Sequence, residues 1–420
     1  MTRSTLNLMS YNSTGLDTVK IDWIQDLMKT CEIDLLQIQE HFKASKTVDK
    51  YFKKHFVNTD SYVIPAFREQ FQENGRAKGG LAQLAAKHLD IRKERVVTKS
   101  WRLQAQVLHI GEYRLMCINC YFPTDPQTVQ YDEVELLPVL TEVENILDNN
   151  SFDDLVLGGD FNYDTRRMTG FVCTMTEFLE RIGLFSVWEK FQIDFTHLHT
   201  DYRSTSIIDH FFVNKRLLNL VTDAGPVHLG DNLSRHSPIM MKIQIEGLTA
   251  SKLQPGVPAS RRPAWYKATQ DQKNQYTEVL ALKLSALAAP DSLHCRDVNC
   301  EVAEHTIERD SHVLDIMCAI MEASHECIPL SAPHKSQSQK GNNLPGWKEN
   351  VEPVKKDALF WHGVWLSAGS PNRGELHQVM CWARNKYHYA VRRAKRMAGN
   401  VKSKNLLEAA EQGIWLLWKK

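Results

Sequence analysis

Between residues 5 and 245 short apolar runs keep stopping on a polar side chain, and amphipathic stretches fill the gaps between them. LNLMS (6–10), DLLQIQE (34–40), GGLAQLAA (79–86), 96–109, 113–120, LVLGG (155–159), IIDHFFV (207–213) and IMMKIQI (239–245) read as strands. Val19, Trp23, Ile24, Leu27 and Met28 recur at helical spacing, and 127–148 and 171–184 read as further helices. So many strands interrupted by helices cannot form a bundle. The pattern predicts two sheets packed face to face with helices outside.

After residue 250 the texture changes. SKLQPGVPASRRPAW (251–265) is a Pro/Ser/Arg linker, and 266–287, 297–328, 350–368 and 375–407 read as helices. A turn-rich stretch, 328–347, divides them. The expected organisation is therefore a sandwich domain over 1–248, a linker over 249–265, a helical connector over 266–330, a second linker over 331–347 and a basic helical region over 348–420. The net charge of +1 hides this division. Residues 355–420 hold 13 Lys/Arg against 4 Asp/Glu, a net of +9, which leaves −8 for the rest. The two parts should handle different partners. No start-proximal apolar stretch has signal-peptide length, and no run reaches the ~18 apolar residues of a membrane helix. A soluble, non-secreted chain with no membrane partner is expected. Nine cysteines, several within apolar segments, point to reduced thiols.

The strand ends carry the chemistry. Asn12 ends MSYN, Glu40 ends LQIQE, Tyr121 follows INC, Asp160 and Asn162 lie in GGDFN, Asp209 in SIIDH and His236 in NLSRHS. A carboxylate ending an apolar strand is costly unless exposed, paired or bound to a hard cation such as Mg²⁺. Asp160 and Asn162, one residue apart, would share a face if extended, where they could orient a water and hold a phosphoryl oxygen. Gly158 and Gly159 would let a substrate backbone approach closely. Asp209 and His236 could form a carboxylate–imidazole pair that keeps the imidazole charged. Cys and His residues between 294 and 327 match no zinc-finger spacing.

The ordered set YNSTGL, LQIQEHF, GGLAQLAA, YFPTD, GGDFN, an S-x-x-D motif and N-L-S-x-H-S-P resembles the endonuclease/exonuclease/phosphatase superfamily. Within it the apurinic-type endonuclease domain of non-LTR retrotransposons is the most similar, over about residues 5–245. The segments PAWYKATQDQKNQY, VLDIMCAIMEASHECIP and LPGWKENVEP resemble the connector of such elements. The resemblance implies an α/β, four-layer DNase I-like sandwich followed by a mainly helical region, and a Mg²⁺-dependent (or Mn²⁺-dependent) nuclease that nicks target DNA. It implies Glu40 as main metal ligand with Asn12 in support, and Tyr121 at the scissile phosphate. Asp160 would activate water, Asn162 would position the phosphate, and Asp209 would orient His236 beside the transition state. Thr196 and Ser206 would contact or shape the DNA site. A nuclear location follows from the DNA substrate.

Two departures bear on activity. The family's Ser-Asp-His motif reads Ser234-Arg235-His236 here. A cation about 4 Å from the metal position would cost on the order of 4 kcal/mol. A catalytically impaired remnant that only binds nucleic acid is therefore the alternative, and a phosphatase or deadenylase of the same superfamily is a third. No aromatic-x-Asp-Asp polymerase pattern occurs, so a truncated element product, or a gene retaining the nuclease alone, is expected. In 384–404, Tyr387, Ala390, Val391, Ala394, Met397 and Val401 form one helical stripe; Arg392, Arg393, Lys395 and Arg396 offer contacts to DNA or RNA phosphates.

Overall fold

The computed structural model describes residues 2–411 apart from 46, 69–76, 90, 128–133, 200–203, 250–262, 296–301, 330–343, 345 and 372. Most of both expected linkers thus lies outside the described residues. The chain forms two compact units, Met1–Lys252 with Asn342–Lys420, and Leu253–Gly341.

The first unit is built on two six-stranded sheets. One contains β1 (Thr2–Asn12), β2 (Leu35–Gln39), β3 (Thr59–Ile64), β4 (Leu81–Ala86), β13 (Val221–Pro226) and β14 (Ile239–Thr249), in the order β13-β14-β1-β2-β4-β3. The other contains β5 (Arg92–Val96), β6 (Leu103–Ile110), β7 (Tyr113–Tyr121), β8 (Asp154–Asp160), β9 (Leu184–Ser186) and β12 (Asp209–Asn214), in the order β5-β6-β7-β8-β12-β9. Only β1–β2 and β7–β8 pair in parallel. Residues of β2 and β8 are buried throughout, as central strands covered on both faces require. A short ladder, β10 (His197–Leu198) with β11 (Thr205–Ser206), sits apart from both sheets.

Three apolar layers hold this unit together. Leu6, Leu8, Leu108, Leu115, Val156 and Phe211 meet between the sheets. Outside the first sheet, α1 (Thr18–Thr30) and α2 (Val48–His55) bury Ile24, Leu27 and Phe52. Outside the second, α3 (Leu137–Asn149) and α4 (Gly170–Arg181) bury Val143, Phe171 and Met175. Each fully buried aliphatic or aromatic side chain contributes about 1.5–3 kcal/mol. Together with α5 (Lys215–Leu220), these elements form the expected four-layer DNase I-like sandwich. The stretch read as one strand over 96–109 is two, β5 and β6, separated by a turn at 97–102.

Gly158 and Gly159 serve packing and not the approach of a substrate. A Cβ at Gly159 would lie 2.0 Å from the Cys120 carbonyl oxygen on β7. One at Gly158 would meet Gln37 Oε1 at 2.6 Å and the Phe211 ring at 2.7 Å. Both positions are filled by the neighbouring strand and the opposite sheet.

The same unit includes α8 (Trp347–Asn350), α9 (Glu352–Ser367) and α10 (Glu375–Glu411). Val351, Ala358, Tyr387, Val391 and Ala394 pack on Val19 of α1, and Trp365, Met380 and Cys381 on Phe195 and Leu198. The second unit pairs α6 (Gln270–Ser285), opened by a capping box at Thr269, with α7 (Ala303–Cys327). Among the described residues no helix is long and apolar enough to cross a membrane.

Candidate active site

Strand register makes the site. Tyr121 at the end of β7 pairs with Asp160 at the end of β8, and Asp209 at the start of β12 pairs with Asp160 from the other side. Three functional side chains therefore stand abreast on one sheet. On the other sheet Asn12 pairs with Gln39, the residue before Glu40. Glu40 and Asn162 hold left-handed backbone at φ 54° and 55°, the kind of strain that clusters at functional sites.

Asp160 is 1% exposed, and each of its two oxygens accepts one hydrogen bond. Asn12 Nδ2 donates to Oδ2 at 2.7 Å, and the Asn162 backbone N–H donates to Oδ1 at 2.9 Å. The amide orientation of Asn12 is fixed, because its Oδ1 accepts from the Thr14 backbone N–H at 2.9 Å. Asn12 thus offers a donor to Asp160, and its oxygen is used by its own turn. Burial, opposed by the His236 charge and reinforced by those of Asp209 and Glu40, lifts the Asp160 carboxyl to about 7.

His236 Nδ1 lies 3.0 and 2.9 Å from the two Asp209 oxygens, and Nε2 lies 4.0 Å from Asp160 Oδ2. Burial alone would lower this imidazole, but the Asp209 charge, then Asp160 and the hydrogen bond to Asp209, hold it up at about 9. The site therefore contains an imidazolium between two carboxylates. Asp160, Asp209 and His236 each present a ligand atom within 4.8 Å of the others.

Tyr121 flanks the group. Burial, then the charges of Glu40 and Asp160 and the hydrogen bond to Glu40, push its phenol well above its usual range, so it stays a donor. Glu40 and Tyr121 line a cleft of about 480 Å³ together with Lys78, Trp101, Arg102 and Thr124. Asn162 Nδ2 is committed to the Phe122 carbonyl at 2.9 Å.

Thr196 and Ser206 are 0% and 1% exposed, so they shape the site and do not face a ligand. Thr196 Oγ1 accepts from the backbone N–H of Ile208 and of Asp209, both at 3.0 Å, which fixes the start of β12. Ser206 Oγ lies 3.4 Å from His197 Nδ1. On α10, Arg392, Arg393 and Arg396 are exposed, whereas Lys395 Nζ is paired with Asp17 at 2.7 Å. Arg235 is exposed, and its charge bears on His197. It is not among the principal charges acting on Asp160 or His236.

Sequence reasoning passed over three further residues. His197 stacks 4.6 Å from His236, ring centre to ring centre. Ser234 Oγ donates to the Asn12 carbonyl at 2.8 Å and accepts from the His236 N–H at 3.2 Å, tying the end of β1 to the segment that carries His236. Asn232 Nδ2 donates to the His236 carbonyl at 2.8 Å while its Oδ1 accepts from the Tyr11 hydroxyl at 2.8 Å. Ser234 and Asn232 lie within the N-L-S-x-H motif, which was the available signal.

No protein-family model matches the sequence, and no curated protein matches it either. Among solved structures, an AP endonuclease from Leishmania major is similar at 14% identity and TM-score 0.47, over 57% of this chain and 88% of that one. The endonuclease domain of TRAS1, a telomere-specific non-LTR retrotransposon, is similar at 13% identity and TM-score 0.44, over 57% and 99%. An endonuclease/exonuclease/phosphatase family protein from Leptotrichia buccalis is similar at 17% identity and TM-score 0.43, over 57% and 100%.

Proposed function

We propose that this chain is a divalent-metal-dependent phosphodiesterase that nicks DNA, an endonuclease of non-LTR retrotransposon origin. The observation that carries the reading is the row Tyr121, Asp160 and Asp209 with His236 against both carboxylates. Asp160, lifted to about 7, suits removal of a proton from an attacking water at neutral pH. His236 is a fixed cation, placed to stabilise charge growing on phosphoryl oxygens. Asp209 keeps its Nδ1 proton and ring orientation, and Tyr121 offers an O–H to the same region.

The donor set fits a hard cation. Carboxylate charges crowd Asp160, since Asp209 and Glu40 both raise it, and Asp209 is already spent on His236. Glu40 with Asp160 would hold Mg²⁺ or Mn²⁺. Bound there, the ion would supply Lewis-acid polarisation of the phosphate. The outward position of Arg235 supports an active site over an impaired one. Lys78 and Arg102 in the cleft, and exposed Arg392, Arg393 and Arg396, would take DNA phosphates. A DNA substrate would also place the protein in the nucleus.

Supercoiled-plasmid nicking with Mg²⁺ or Mn²⁺ tests the reading. The parent is expected to nick, Asp160→Ala and His236→Ala to lose at least ~10²-fold, and Arg235→Asp to stay within a few-fold of the parent. Nicking that survives Asp160→Ala would overturn the assignment; a silent parent rescued by Arg235→Asp would establish the impaired remnant.

A further inference from the structure

His236 is carried by the segment between β13 and β14, residues 227–238, and that segment is gripped from outside the sandwich. On α9, His362 Nε2 lies 2.9 Å from the His228 carbonyl oxygen, and Lys355 pairs with Asp231 at 3.0 Å. The helix approaches so closely that a Cβ on Gly230 would sit 2.8 Å from His362 Cβ and 2.9 Å from the Ala358 carbonyl oxygen. On α10, Arg384 is 7% exposed and its Nη2 donates to the Ser234 carbonyl at 2.6 Å and the Asn232 carbonyl at 3.3 Å. His388 Nε2 lies 2.8 Å from the same Asn232 carbonyl. Asn232 and Ser234 are the residues that hold the His236 backbone.

We propose that Arg384 and His388 of α10 are positioning residues for His236, holding the 232–234 carbonyls so that the imidazole keeps its place between Asp160 and Asp209. The inference deepens the phosphodiesterase reading and rests on it for its kinetic consequence. The physical case is geometric. Three donor contacts from one helix converge on two carbonyls, and a buried guanidinium makes strong, directional hydrogen bonds. Each carbonyl belongs to a residue whose side chain contacts the His236 main chain, so displacement of the carbonyls is transmitted within one residue. Neither α10 residue approaches the reacting atoms. Their effect passes through Asn232 and Ser234.

This arrangement gives α10 a role distinct from covering apolar surface. Val391 and Ala394 lie on the same buried face one to three turns further along and belong to the apolar cluster around Val19, which meets the 227–238 segment through the Leu233 side chain and not through the 232 and 234 carbonyls. Loosening those contacts should weaken docking while leaving the Arg384 and His388 hydrogen bonds to the 232 and 234 carbonyls in place, and so disturb His236 less than loss of Arg384 does.

The test uses the full chain and four variants: Arg384→Ala, Arg384→Lys, His388→Gln and Val391→Ala. Cleavage of a labelled duplex with Mg²⁺ is followed for kcat and KM, and hydrogen exchange is followed at the backbone amides of 232–237. For Arg384→Ala, kcat should fall on the order of 10–100-fold with KM within about twofold, the cost of a small misplacement. Arg384→Lys should recover part of the loss, His388→Gln should lose less than Arg384→Ala, and Val391→Ala should lower Tm with kcat kept. Exchange at Ser234 and His236 should quicken in Arg384→Ala more than in Val391→Ala. Equal loss of kcat in Val391→Ala, or an unchanged kcat in a folded Arg384→Ala, would overturn the proposal. If the parent cleaves nothing, the phosphodiesterase reading fails separately, and the exchange comparison alone decides: unchanged protection at 234 and 236 in Arg384→Ala refutes the positioning role.

Discussion

Two pairs of helices follow the sandwich in sequence, and they are stabilised in opposite ways. In α9 and α10, Ala358, Trp365, Tyr387, Val391 and Ala394 are buried, and Arg384 and His388 reach carbonyls about 150 residues earlier in the chain. In α6 no described residue is buried, and α7 exposes Val313, Met317 and Met321. Between α6 and α7, Lys283 pairs with Glu322 and Glu326 at the surface. Both pairs are helical by periodicity, but only α9 and α10 belong to the compact unit of the sandwich. Helical pattern fixes an element, and the chemistry of one face fixes what it docks against.

The widest separation between the pairs is expected on truncating core side chains. Trp365 is 1% exposed, stands among Phe195, His228 and His362, and donates its indole N–H to the Pro371 carbonyl at 2.8 Å. Trp365→Ala should cost about 3–5 kcal/mol, whereas Met317→Ala on α7, half exposed, should stay within about 0.5 kcal/mol. Urea titration of the full chain measures both; a Trp365→Ala loss under about 1 kcal/mol would mean that the docked pair contributes little to the sandwich unit.

The same contrast shows what could be read in advance. Tyr121, Asp160 and Asp209 were legible because a polar residue at the end of an apolar run is a local signal. Their pairing in one row needed only the sheet. The edge strand β5, RKERV, was not legible, since four of its five residues avoid full burial and carry no apolar alternation. Asn12 was placed near the site, but whether it offers oxygen or nitrogen depends on the Thr14 N–H, a contact invisible to pattern. Thr196 matched a substrate position, yet it is consumed by two backbone donors, Ile208 and Asp209, at the entry to β12. Arg384 lies beside the apolar stripe of 384–404, and nothing in its sequence neighbourhood marks it. Its partners lie across the fold, and helical periodicity contains no information about carbonyls elsewhere in the chain.

Acid should separate the pairs less strongly. His388 is buried against Asn232, and burial, followed by the charge of Arg384, lowers its imidazole to about 3. Burial lowers His362 as well. Between the unfolded value near 6.5 and the folded value, the unfolded chain binds the proton and the folded one does not, so stability is full above pH 6.5 and falls as pH drops toward 3. For His388 the loss at pH 5 is on the order of 1–2 kcal/mol. His41 and His197, lowered by burial to about 4 and about 2 in the sandwich, add to the same slope. His388→Gln should therefore flatten the decline of Tm between pH 6.5 and 5 without abolishing it. An identical slope in the variant would show that His388 does not remain neutral in its docked position.

The smallest effect concerns the ion pairs. Lys395 on α10 meets Asp17 at 2.7 Å, both side chains partly exposed at 30% and 41%. Asp17 is also the N-cap of α1, accepting from the Lys20 backbone N–H at 3.1 Å. Its carboxyl is held below the usual range although burial opposes this, because the Lys395 charge and hydrogen bond and the Lys20 N–H outweigh it. Lys395→Ala removes one partner and should cost under ~1 kcal/mol, an effect that shrinks further in high salt. Asp17→Ala removes the pair and the cap together and should cost about 1 kcal/mol more than Lys395→Ala. In the other pair of helices, Lys283→Ala should change Tm little, since its partners Glu322 and Glu326 are exposed and surface ion pairs contribute little. A double-mutant cycle on Asp17 and Lys395 isolates the pair from the cap. A coupling indistinguishable from zero would assign the docking of α10 to its apolar face and to Arg384 and His388, and none of it to the surface charge.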